Sequence, residues 1–332
     1  MKRIAVLTSG GDAPGMNAAI RSATRTALYH GLSVVGIHRG FQGLIEGDMF
    51  EMTSRSVGDI IQRAGTILRS ARSSEFVSRT GQKKAIQQLD AKSIEGLVII
   101  GGDGTLKGAK ALSDCGVPVI GIPATVDNDI PLSDCSIGFD TAVNTAVDAI
   151  TKIRDTASSH GRNNVIEVMG RNTGHLALAA GLAGGAEYIL IPERPFDIRN
   201  ICNGIKEGYA RGKTHSIIVV AEGVWGYSAP EESRNESIGF IIGRKVKKYT
   251  DLETRVTVLG YIQRGGTPTV RDRLLGTMFG SKSVDALIQG RTGEFTGIVG
   301  EKFQMFDIKE ILISQKPIND EFCQVAALLS EM

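Results

Sequence analysis

Short apolar runs rich in β-branched residues recur along the chain, and turn residues bound each of them. These runs are Ile4–Leu7, Ser33–Ile37, Gly96–Ile100, Pro118–Ile122, Val165–Met169, Tyr188–Ile191, Ser216–Val220 and Val256–Ile262. Many are separated by stretches whose apolar residues have helical spacing, namely Asn17–His30, Gln82–Leu89, Thr141–Asp155 and His175–Ala183. Continuous apolar strands that alternate with helices predict an α/β fold, in which mostly parallel sheets carry helices on both faces.

The length of the chain predicts more than one hydrophobic core. Its 332 residues exceed the roughly 250–300 at which a single core usually stops growing, so two lobes are expected. Polar, glycine-rich loops follow many of the predicted strands; they are Thr8–Asp12, Gly101–Thr105, Thr125–Asp129, Gly170–Arg171, Glu222–Gly223 and Gln263–Gly266. Because ligands of open parallel sheets bind beyond the carboxyl ends of the strands, we expect these loops to face one cleft that holds the active site.

Composition argues against several classes of protein. The formal net charge of +2 gives no bulk electrostatic argument for a nucleic-acid partner. The four cysteines form no C-x-x-C pair and the five histidines no metal-spaced pair, which argues against a disulfide framework and a zinc enzyme and favours a reducing compartment. No run reaches the ~18 apolar residues that span a bilayer, and the first run is too short for a signal peptide. A cytoplasmic protein without a membrane partner is expected.

The loop Gly101–Thr105 is the strongest candidate site because it places one aspartate among three glycines. Glycines let backbone N–H groups approach phosphate oxygens, and the start of a helix favours an anion. A phosphate there would repel Asp103 unless a cation lay between them, so Mg²⁺ is the expected metal. Gly10–Gly11 also precedes a predicted helix, although a plain strand-to-helix turn explains it equally well. The sequence contains no G-x-x-x-x-G-K-[ST] P-loop.

Asp127 and Asp129 form a second candidate because they flank a single asparagine. In an extended loop, residues two apart point the same way, so both carboxylates are expected on one side. Such a pair suits a metal, or a base beside an acid that organises a metal, and phosphoryl transfer to an alcohol needs a base for the hydroxyl proton. An ordinary Asp/Asn-rich turn explains the same residues and is the commoner structure.

Arginines supply a third element. Those in or beside Gly-, Ser- or Asn-containing segments are Arg72, Arg162, Arg171, Arg255 and Arg264. Arginine binds phosphate through a bidentate fork and stabilises charge on a transferring phosphoryl group. Taken singly, each is more often a solvated surface residue.

Several ordered motifs together resemble the bacterial 6-phosphofructokinase family. They are Thr8–Asn17, Gly101–Thr105, Asp127–Asp129, Met169–Arg171 and Gln263–Gly266. The resemblance extends from Met1 to about Gly280. It implies transfer of the γ-phosphate of ATP to O1 of fructose 6-phosphate, with Mg²⁺. It also implies two similar lobes: residues 1–138 with about 264–302 for ATP, and residues 139–263 with about 303–332 for the sugar phosphate.

The resemblance assigns roles residue by residue. The ATP-binding residues would be Gly11, Arg72, Ser73, Gly102, Asp103, Gly104 and Thr105. Asp103 would organise Mg²⁺. Asp127 would be the general base, helped by Thr125 and Asp129, while Arg72 and Arg171 would stabilise the transferring charge. The sugar phosphate would contact Thr125, Asp127, Met169, Gly170, Arg171, Glu222, Tyr261 and Arg264, with Arg162 and Arg255 from a neighbouring subunit. This sharing implies a homotetramer.

The phosphoryl donor follows from two small residues. Pyrophosphate-dependent relatives carry an acid at position 104 and a lysine at position 124, which crowd the nucleotide site. Gly104 and Ala124 leave that space, so ATP is the expected donor, although Ala124 replaces the family's usual glycine. A pyrophosphate-dependent enzyme, a lipid or NAD kinase with the G-G-D-G-T signature, and a non-catalytic regulatory paralogue that binds nucleotide are the alternatives. The sugar-side motifs argue against the lipid and NAD kinases.

Some residues depart from the family pattern. Tyr261 stands where the family carries histidine, and it donates a hydrogen bond without positive charge, so weaker sugar-phosphate binding is expected. Gly161 stands where many relatives have a Glu or Gln that exchanges places with Arg162 during regulation, and Thr214 replaces a common lysine. Both bear on whether allosteric control survives. The segment Trp225–Tyr249 is about a dozen residues longer than in typical relatives.

The family's effector pocket, which binds ADP or phosphoenolpyruvate, matches a basic set of residues. They are Arg21, Arg25, Arg154, Gly185, Glu187, Arg211, Lys213 and His215. Arg21 and Arg25 are four residues apart on a predicted helix and therefore share a face. From the pattern alone, scattered solvated charges explain the set equally well.

Overall fold

A computed structural model describes residues 1–224 and 236–330 of the chain. Its strands are Arg3–Thr8 (β1), Ser33–Ile37 (β2), Met49–Met52 (β3), Gly96–Gly101 (β4), Val119–Pro123 (β5), Asn163–Val168 (β6), Tyr188–Leu190 (β7), Ile217–Ala221 (β8), Thr254–Val258 (β9), Glu294–Val299 (β10) and Lys302–Asp307 (β11). Its α-helices are Met16–Tyr29 (α1), Gly40–Glu46 (α2), Arg79–Ala91 (α3), Asp103–Asp114 (α4), Phe139–His160 (α5), His175–Ala183 (α6), Ile198–Ala210 (α7), Ile238–Thr250 (α8), Val270–Ile288 (α9), Glu310–Ile313 (α10) and Asp320–Ser330 (α11). None of the helices in these residues is both long and apolar enough to cross a membrane.

The chain divides into two compact units. The first comprises Met1–Thr141 and Arg264–Lys316, and the second contains the described residues from Ala142 to Gln263 and from Pro317 onwards. The sequence placed residues 303–316 with the second lobe, whereas β11 pairs antiparallel with β10 and so joins the first sheet. That hairpin places the return to the second unit at Lys316, not near residue 303.

The first unit contains a seven-stranded sheet in the order β11-β10-β5-β4-β1-β2-β3. Its inner strands are parallel, and the antiparallel strands β3 and β11 form its edges. Successive side chains of β1 and β4 point to opposite faces of the sheet, and helices pack on both faces, which explains why both runs are continuously apolar. Ala5 and Leu7 belong to the core formed with α2, α3 and α4, whereas α1 and α9 pack together and contact β1 and β4. Both faces are therefore covered, as the sequence predicted.

The second unit contains a four-stranded, wholly parallel sheet in the order β7-β8-β6-β9. Its core combines these strands with apolar residues of α5 to α8, such as Ile150, Ile205 and Ile242. The predicted strand Val256–Ile262 is shorter than expected, because the chain leaves the sheet after Val258 and forms a 3₁₀ turn over Gly260–Arg264. Two sheets with flanking helices confirm the predicted α/β class.

The segment Trp225–Tyr249, which is longer than its counterpart in typical relatives, is in part an ordinary helix. Helix α8 buries Ile238, Ile241, Ile242 and Val246 at helical spacing, and the charged residues around Arg244 form its outer face. Residues 225–235 of that segment lie outside the described residues.

Asp272 is a fully buried carboxylate in α9 that stabilises the start of α5. Its two oxygens accept hydrogen bonds from the backbone N–H groups of Gly138 and Thr141, each at 2.8 Å, and from the Thr141 hydroxyl. The first N–H groups of a helix have no partner inside the helix, so this carboxylate satisfies donors that burial would otherwise leave unpaired. Burial raises the pKa of Asp272, and the hydrogen bonds oppose that shift.

We predict that Asp272→Asn destabilises the chain by about 2–4 kcal/mol, because its amide N–H₂ would face backbone donors in a buried site. The apparent thermal midpoint, measured by calorimetry near pH 7, tests this expectation. The matched control is Asp285→Asn on the same helix, where the carboxylate is 44% exposed beside His30. Equal losses in the two variants would contradict the assigned role.

The sign of the pH dependence follows from the raised pKa. Between the pKa of the unfolded chain and that of folded Asp272, the folded state binds more protons, so unfolding free energy falls as pH rises through that window. In the Asp272→Asn variant, this fall of the unfolding free energy with rising pH should be absent.

Candidate active site

The first unit brings three predicted loops to one edge of its sheet. Strands β1 and β4 are adjacent and parallel, and the chain turns to opposite sides of the sheet after them, which makes their carboxyl ends a topological switch point. The Ser9 N–H donates to the Ile100 carbonyl at 3.0 Å, and the Ala124 N–H donates to the Gly101 carbonyl at 2.9 Å. The segments after β1, β4 and β5 therefore leave the sheet side by side.

Thr105 joins two of these loops. Its side chain is buried, and its hydroxyl donates to the Ser9 carbonyl at 2.9 Å. A methyl group added at Gly101 would lie only 2.6 Å from that hydroxyl and closer still to the Ser9 carbonyl. Glycine at position 101 is thus required by the close approach of two backbones, whereas Gly104 is exposed and Gly102 is partly exposed at the start of α4.

Asp103 is the first residue of α4, and its carboxylate is 27% exposed and lies 2.8 Å from the Lys107 ammonium. No group of three or more metal-ligating side chains occurs in residues 1–224 and 236–330. A single, partly exposed carboxylate at the start of a helix suits Mg²⁺, which is commonly held by one or two carboxylates together with substrate phosphates. The space around Gly104 is open, because an added Cβ would meet no atom within 4 Å. Ala124 is fully buried.

The loop that carries Arg72 and Ser73 lies beside the loop after β1. The Thr8 hydroxyl donates to the Arg69 carbonyl at 2.8 Å, and the Ser70 hydroxyl donates to the Gly10 carbonyl. Arg72 is exposed, and Ser73 Oγ accepts the Phe76 N–H at 3.2 Å. The structure thus brings the predicted nucleotide residues of both segments to one place.

Asn17 anchors the same loop, although sequence analysis gave it no role of its own. Its amide Nδ2 donates to the Arg63 carbonyl at 3.0 Å, and its Oδ1 accepts the Ile67 N–H at 2.9 Å. Asn17 is a polar residue at the buried start of α1. Buried polar side chains are normally hydrogen-bonded, so a polar residue at this position is the signal for such a role.

The segment Thr125–Asp129 is a turn and not the extended strand-like loop that the alternation argument assumed. Asn128 has φ 51°, in the left-handed region, so residues on either side of it do not alternate as in a strand. Asp127 is buried, with 7% of its surface exposed, and its N–H donates to Thr125 Oγ1 at 3.2 Å. The premise of the alternation was therefore wrong, and the two carboxylates are set by this turn.

Arg264, predicted to contact the sugar phosphate, lies in the first unit against the loop after β1. Its Nη1 donates to the Asp12 carbonyl at 2.8 Å. A Cβ at Gly11 would lie 2.5 Å from that same nitrogen, so a larger residue at position 11 would have to shift the end of the Arg264 side chain.

In the second unit, the predicted acceptor loops meet at the carboxyl ends of β6 and β8. The Arg171 N–H donates to Glu222 Oε1 at 2.7 Å, and Arg171 has a left-handed φ of 54°. Gln263 is fully buried, and its Oε1 accepts the Met169 N–H at 3.3 Å while its Nε2 donates to the Gly260 carbonyl at 3.1 Å. Gln263 thereby fixes both the predicted sugar loop and the turn that carries Tyr261, which is 83% exposed.

Glu167 is a buried carboxylate close to this region that sequence analysis missed. It accepts the Gly239 N–H at 2.7 Å and the Ser237 hydroxyl, so it caps the start of α8. Burial raises the pKa of Glu167, the two hydrogen bonds oppose the shift, and the charge of Glu222 adds to it. An acid within the otherwise apolar run Val165–Met169 was the available signal.

Glu253 binds both arginines that the resemblance assigns to the 6-phosphate. Its carboxylate lies 2.9 Å from Arg162 Nε and 2.6 Å from Arg255 Nη2. Arg162 and Arg255 lie on neighbouring parallel strands or at their ends, since Asn163 and Thr254 are in register. The two guanidinium groups are thus held together by a single carboxylate.

The basic residues assigned to the effector pocket are divided between the units. Arg21 and Arg25 lie on α1 of the first unit, one turn apart. In the second unit, Glu187 lies 3.1 Å from Arg154 Nη1 and 3.4 Å from Lys213 Nζ, and it accepts the Ile217 N–H at 2.6 Å.

The remaining members also belong to the second unit. Arg154 donates to the Gly185 carbonyl, and Arg211 is the C-cap of α7. Burial lowers the pKa of His215, against the opposing charge of Glu187. His215 Nδ1 lies 3.1 Å from the Thr214 hydroxyl.

Comparison with known proteins identifies the family. The profile described as Phosphofructokinase matches residues 3–287. The chain is 54% identical over 331 residues to the ATP-dependent 6-phosphofructokinase of Halothermothrix orenii, covering 99% of this chain and 100% of that protein. It is 52% identical over 330 residues to the ATP-dependent 6-phosphofructokinase of Clostridium tetani, with the same coverage.

A solved structure agrees with these relatives. Phosphofructokinase from Saccharomyces cerevisiae superposes with a TM-score of 0.83 at 33% identity, covering 100% of this chain and 47% of that one. The chain thus spans about half the length of the yeast protein. The chain belongs to the phosphofructokinase family.

Proposed function

We propose that the chain is an ATP-dependent 6-phosphofructokinase, which phosphorylates fructose 6-phosphate at O1. The observation that carries the proposal is the meeting of the loops after β1 and β4 at the switch point, joined by Thr105 and open beside Gly104. The bacterial relatives, matched from end to end, carry this activity in their names. A cytoplasmic glycolytic enzyme follows from that activity.

On the donor side, the backbone of Gly102–Thr105 and the exposed Gly11 would bind the phosphates of ATP, with Arg72 and Ser73 beside them. The start of α4 favours this charge. Asp103 would hold Mg²⁺, which when bound neutralises charge on the phosphates. Lys107 would then exchange its ion pair with Asp103 for a contact with solvent or phosphate.

In the chemical step, O1 of the sugar forms a bond to the γ-phosphorus while the bond from that phosphorus to the bridging oxygen of ADP breaks. The O1 proton passes to Asp127, which is buried and set by its backbone bond to Thr125. Asp129 would assist from the far side of the turn. Arg72 and Arg171 would stabilise the charge that develops on the transferring group.

On the acceptor side, Met169, Gly170, Glu222 and Arg264 would contact the sugar. The hydrogen bonds from the Met169 N–H to Gln263 and from the Arg171 N–H to Glu222 would hold the loop after β6 in position. We propose that Arg162 and Arg255 bind the 6-phosphate of a sugar held by a neighbouring copy, in a homotetramer with shared sites. Glu253 would release both arginines as the phosphate arrives.

We also propose that Arg154, Glu187, Lys213 and His215, with Arg211 and Gly185 and with Arg21 and Arg25, bind a regulatory phosphate ligand such as ADP or phosphoenolpyruvate. The support is the convergence of two cations on Glu187. The nearby positive charges and the Ile217 N–H lower the pKa of Glu187 despite its burial.

A coupled assay with fructose 6-phosphate tests the function. We expect turnover with ATP and Mg²⁺ and at least a hundredfold less with pyrophosphate, because Gly104 and Ala124 leave room for a nucleotide. Turnover only with pyrophosphate would establish the alternative donor, and none with either would favour a regulatory paralogue.

Asp127→Ser should lower kcat by about 10²–10⁴-fold through loss of the base. The control Asp90→Asn changes an exposed carboxylate of α3.

Glu253→Gln should lower the KM for fructose 6-phosphate by about three- to tenfold without changing kcat. The variant keeps the size of the side chain but removes the charge that competes with the phosphate for two arginines. The control Glu236→Gln removes an exposed ion pair with Arg244 in the same unit. A raised KM would show instead that Glu253 orients the arginines for the phosphate.

Tyr261→His should lower the KM for fructose 6-phosphate by about two- to fivefold, since imidazole can lend a positive charge that the phenol lacks. The effect should grow as the pH falls below 7, where more imidazole is protonated. Tyr261→Phe serves as the companion variant and should raise KM if the hydroxyl donates to the substrate. Equal Michaelis constants for the wild type and the His variant would remove Tyr261 from the acceptor site.

A further inference from the structure

We propose that Asn128 is a positioning residue, which sets the directions of the Asp127 and Asp129 carboxylates by fastening the turn between them to residues 134–136. The inference rests on the proposed function, because it takes Asp127, which lies on this turn, to be the general base. Asn128 would act through its neighbours and would touch no substrate.

The backbone of Asn128 is the first observation. Its φ of 51° lies in the left-handed region, where an L-residue pays a steric cost of about 1 kcal/mol that glycine avoids. Asparagine tolerates this conformation better than most residues because its short polar side chain can bond locally. A turn that needed only the left-handed backbone would be served best by glycine, so the amide has a further use.

That use is visible in the side chain, which is buried with 5% of its surface exposed. Its Oδ1 accepts the Ser136 N–H at 3.0 Å, and its Nδ2 donates to the Asp134 carbonyl at 3.2 Å. Both ends of the amide are thus engaged by one neighbouring segment. Replacement by glycine would keep the backbone conformation and lose both bonds.

Ser136 ties the other end of the turn to the same place. It is almost fully buried, and its hydroxyl lies 2.7 Å from the Thr125 carbonyl, to which it donates, and 3.3 Å from Asn128 Oδ1. Thr125 in turn accepts the Asp127 N–H through its own hydroxyl at 3.2 Å. Asp127 is therefore flanked on both sides by residues whose positions Ser136 fixes.

The supporting segment is itself fixed to the sheet. The Asp134 N–H donates to the Ile298 carbonyl at 2.7 Å, and the Ile298 N–H donates to the Ser133 hydroxyl at 3.1 Å, so the segment is held along β10. Lys316 Nζ donates to the Asp134 carbonyl at 2.8 Å, the same oxygen that Asn128 uses. Burial lowers the pKa of Lys316 to about 8, and the charge of Asp129 is among the groups that oppose this shift.

These contacts form a route from a β-strand to the proposed base. The order is β10, residues 133–136, the Asn128 amide, and then the two carboxylates on either side of it. A carboxylate displaced by about 1 Å from its productive position can cost on the order of a hundredfold in rate. Loss of the amide should therefore act on kcat more than on the binding of either substrate.

The decisive experiment compares Asn128→Gly and Ser136→Ala with the wild type in the coupled assay with ATP and fructose 6-phosphate. We expect kcat to fall by about 10- to 100-fold in each variant, with the KM for both substrates within about threefold. In a double-mutant cycle the two changes should be strongly non-additive, because both release the same turn. The control Ser283→Ala removes a buried hydroxyl that bonds within α9 and should leave kcat unchanged.

The outcomes separate this inference from the proposed function. A wild type without phosphofructokinase activity overturns the function. An active wild type whose Asn128→Gly and Ser136→Ala variants keep kcat within twofold, or lose only thermal stability, overturns the positioning role alone. If Asn128→Gly does not fold, Ser136→Ala still decides, since it leaves the Asn128 backbone intact. Additive effects in the double variant also contradict a shared turn.

Discussion

Parallel pairing of β1 with β4 is the constraint on which the first unit depends. The two strands run side by side through the middle of the sheet, and their carboxyl ends release consecutive glycine-rich segments at one point. The pairing brings Ser9 and Thr105 within hydrogen-bonding distance although 96 positions separate them along the chain. A helix start, an exposed backbone and a single aspartate are thereby assembled without any long side chain to gather them. The phosphate binding that we propose for this place would therefore depend on the backbone.

The second unit uses side chains for a similar purpose. Gln263 is an amide with no exposed surface, and it bonds the loop after β6 to the turn after β9. Glu222 holds Arg171 through its backbone and not through its guanidinium, which leaves the cationic end of that residue available. The two units thus differ in how they make a site, although both place it at the carboxyl ends of parallel strands.

Much of this could be predicted from the sequence, and the reasons are physical. Apolar runs such as Gly96–Ile100 admit few other structures, and polar glycine-rich loops after them have to lie at a sheet edge. The edge strands β3 and β11 were not predicted, because Met49–Met52 and Lys302–Asp307 are short or mix charged and apolar residues. Helix α8 was not predicted either, because the charged residues of its outer face obscure the helical spacing of its apolar residues. The turn at Asn128 could not be foreseen, since asparagine between two aspartates suits an extended loop and a left-handed turn alike.

Glu253 has a consequence for the anions that this surface admits. Two arginines that already share a carboxylate are not an open cationic patch, and a small singly charged anion such as chloride gains little by displacing Glu253. A phosphate monoester, with nearly two charges and three acceptor oxygens, can satisfy both guanidinium groups at once. If the two arginines bind the 6-phosphate as we propose, Glu253 would act as a threshold that favours a phosphate monoester over small, singly charged anions.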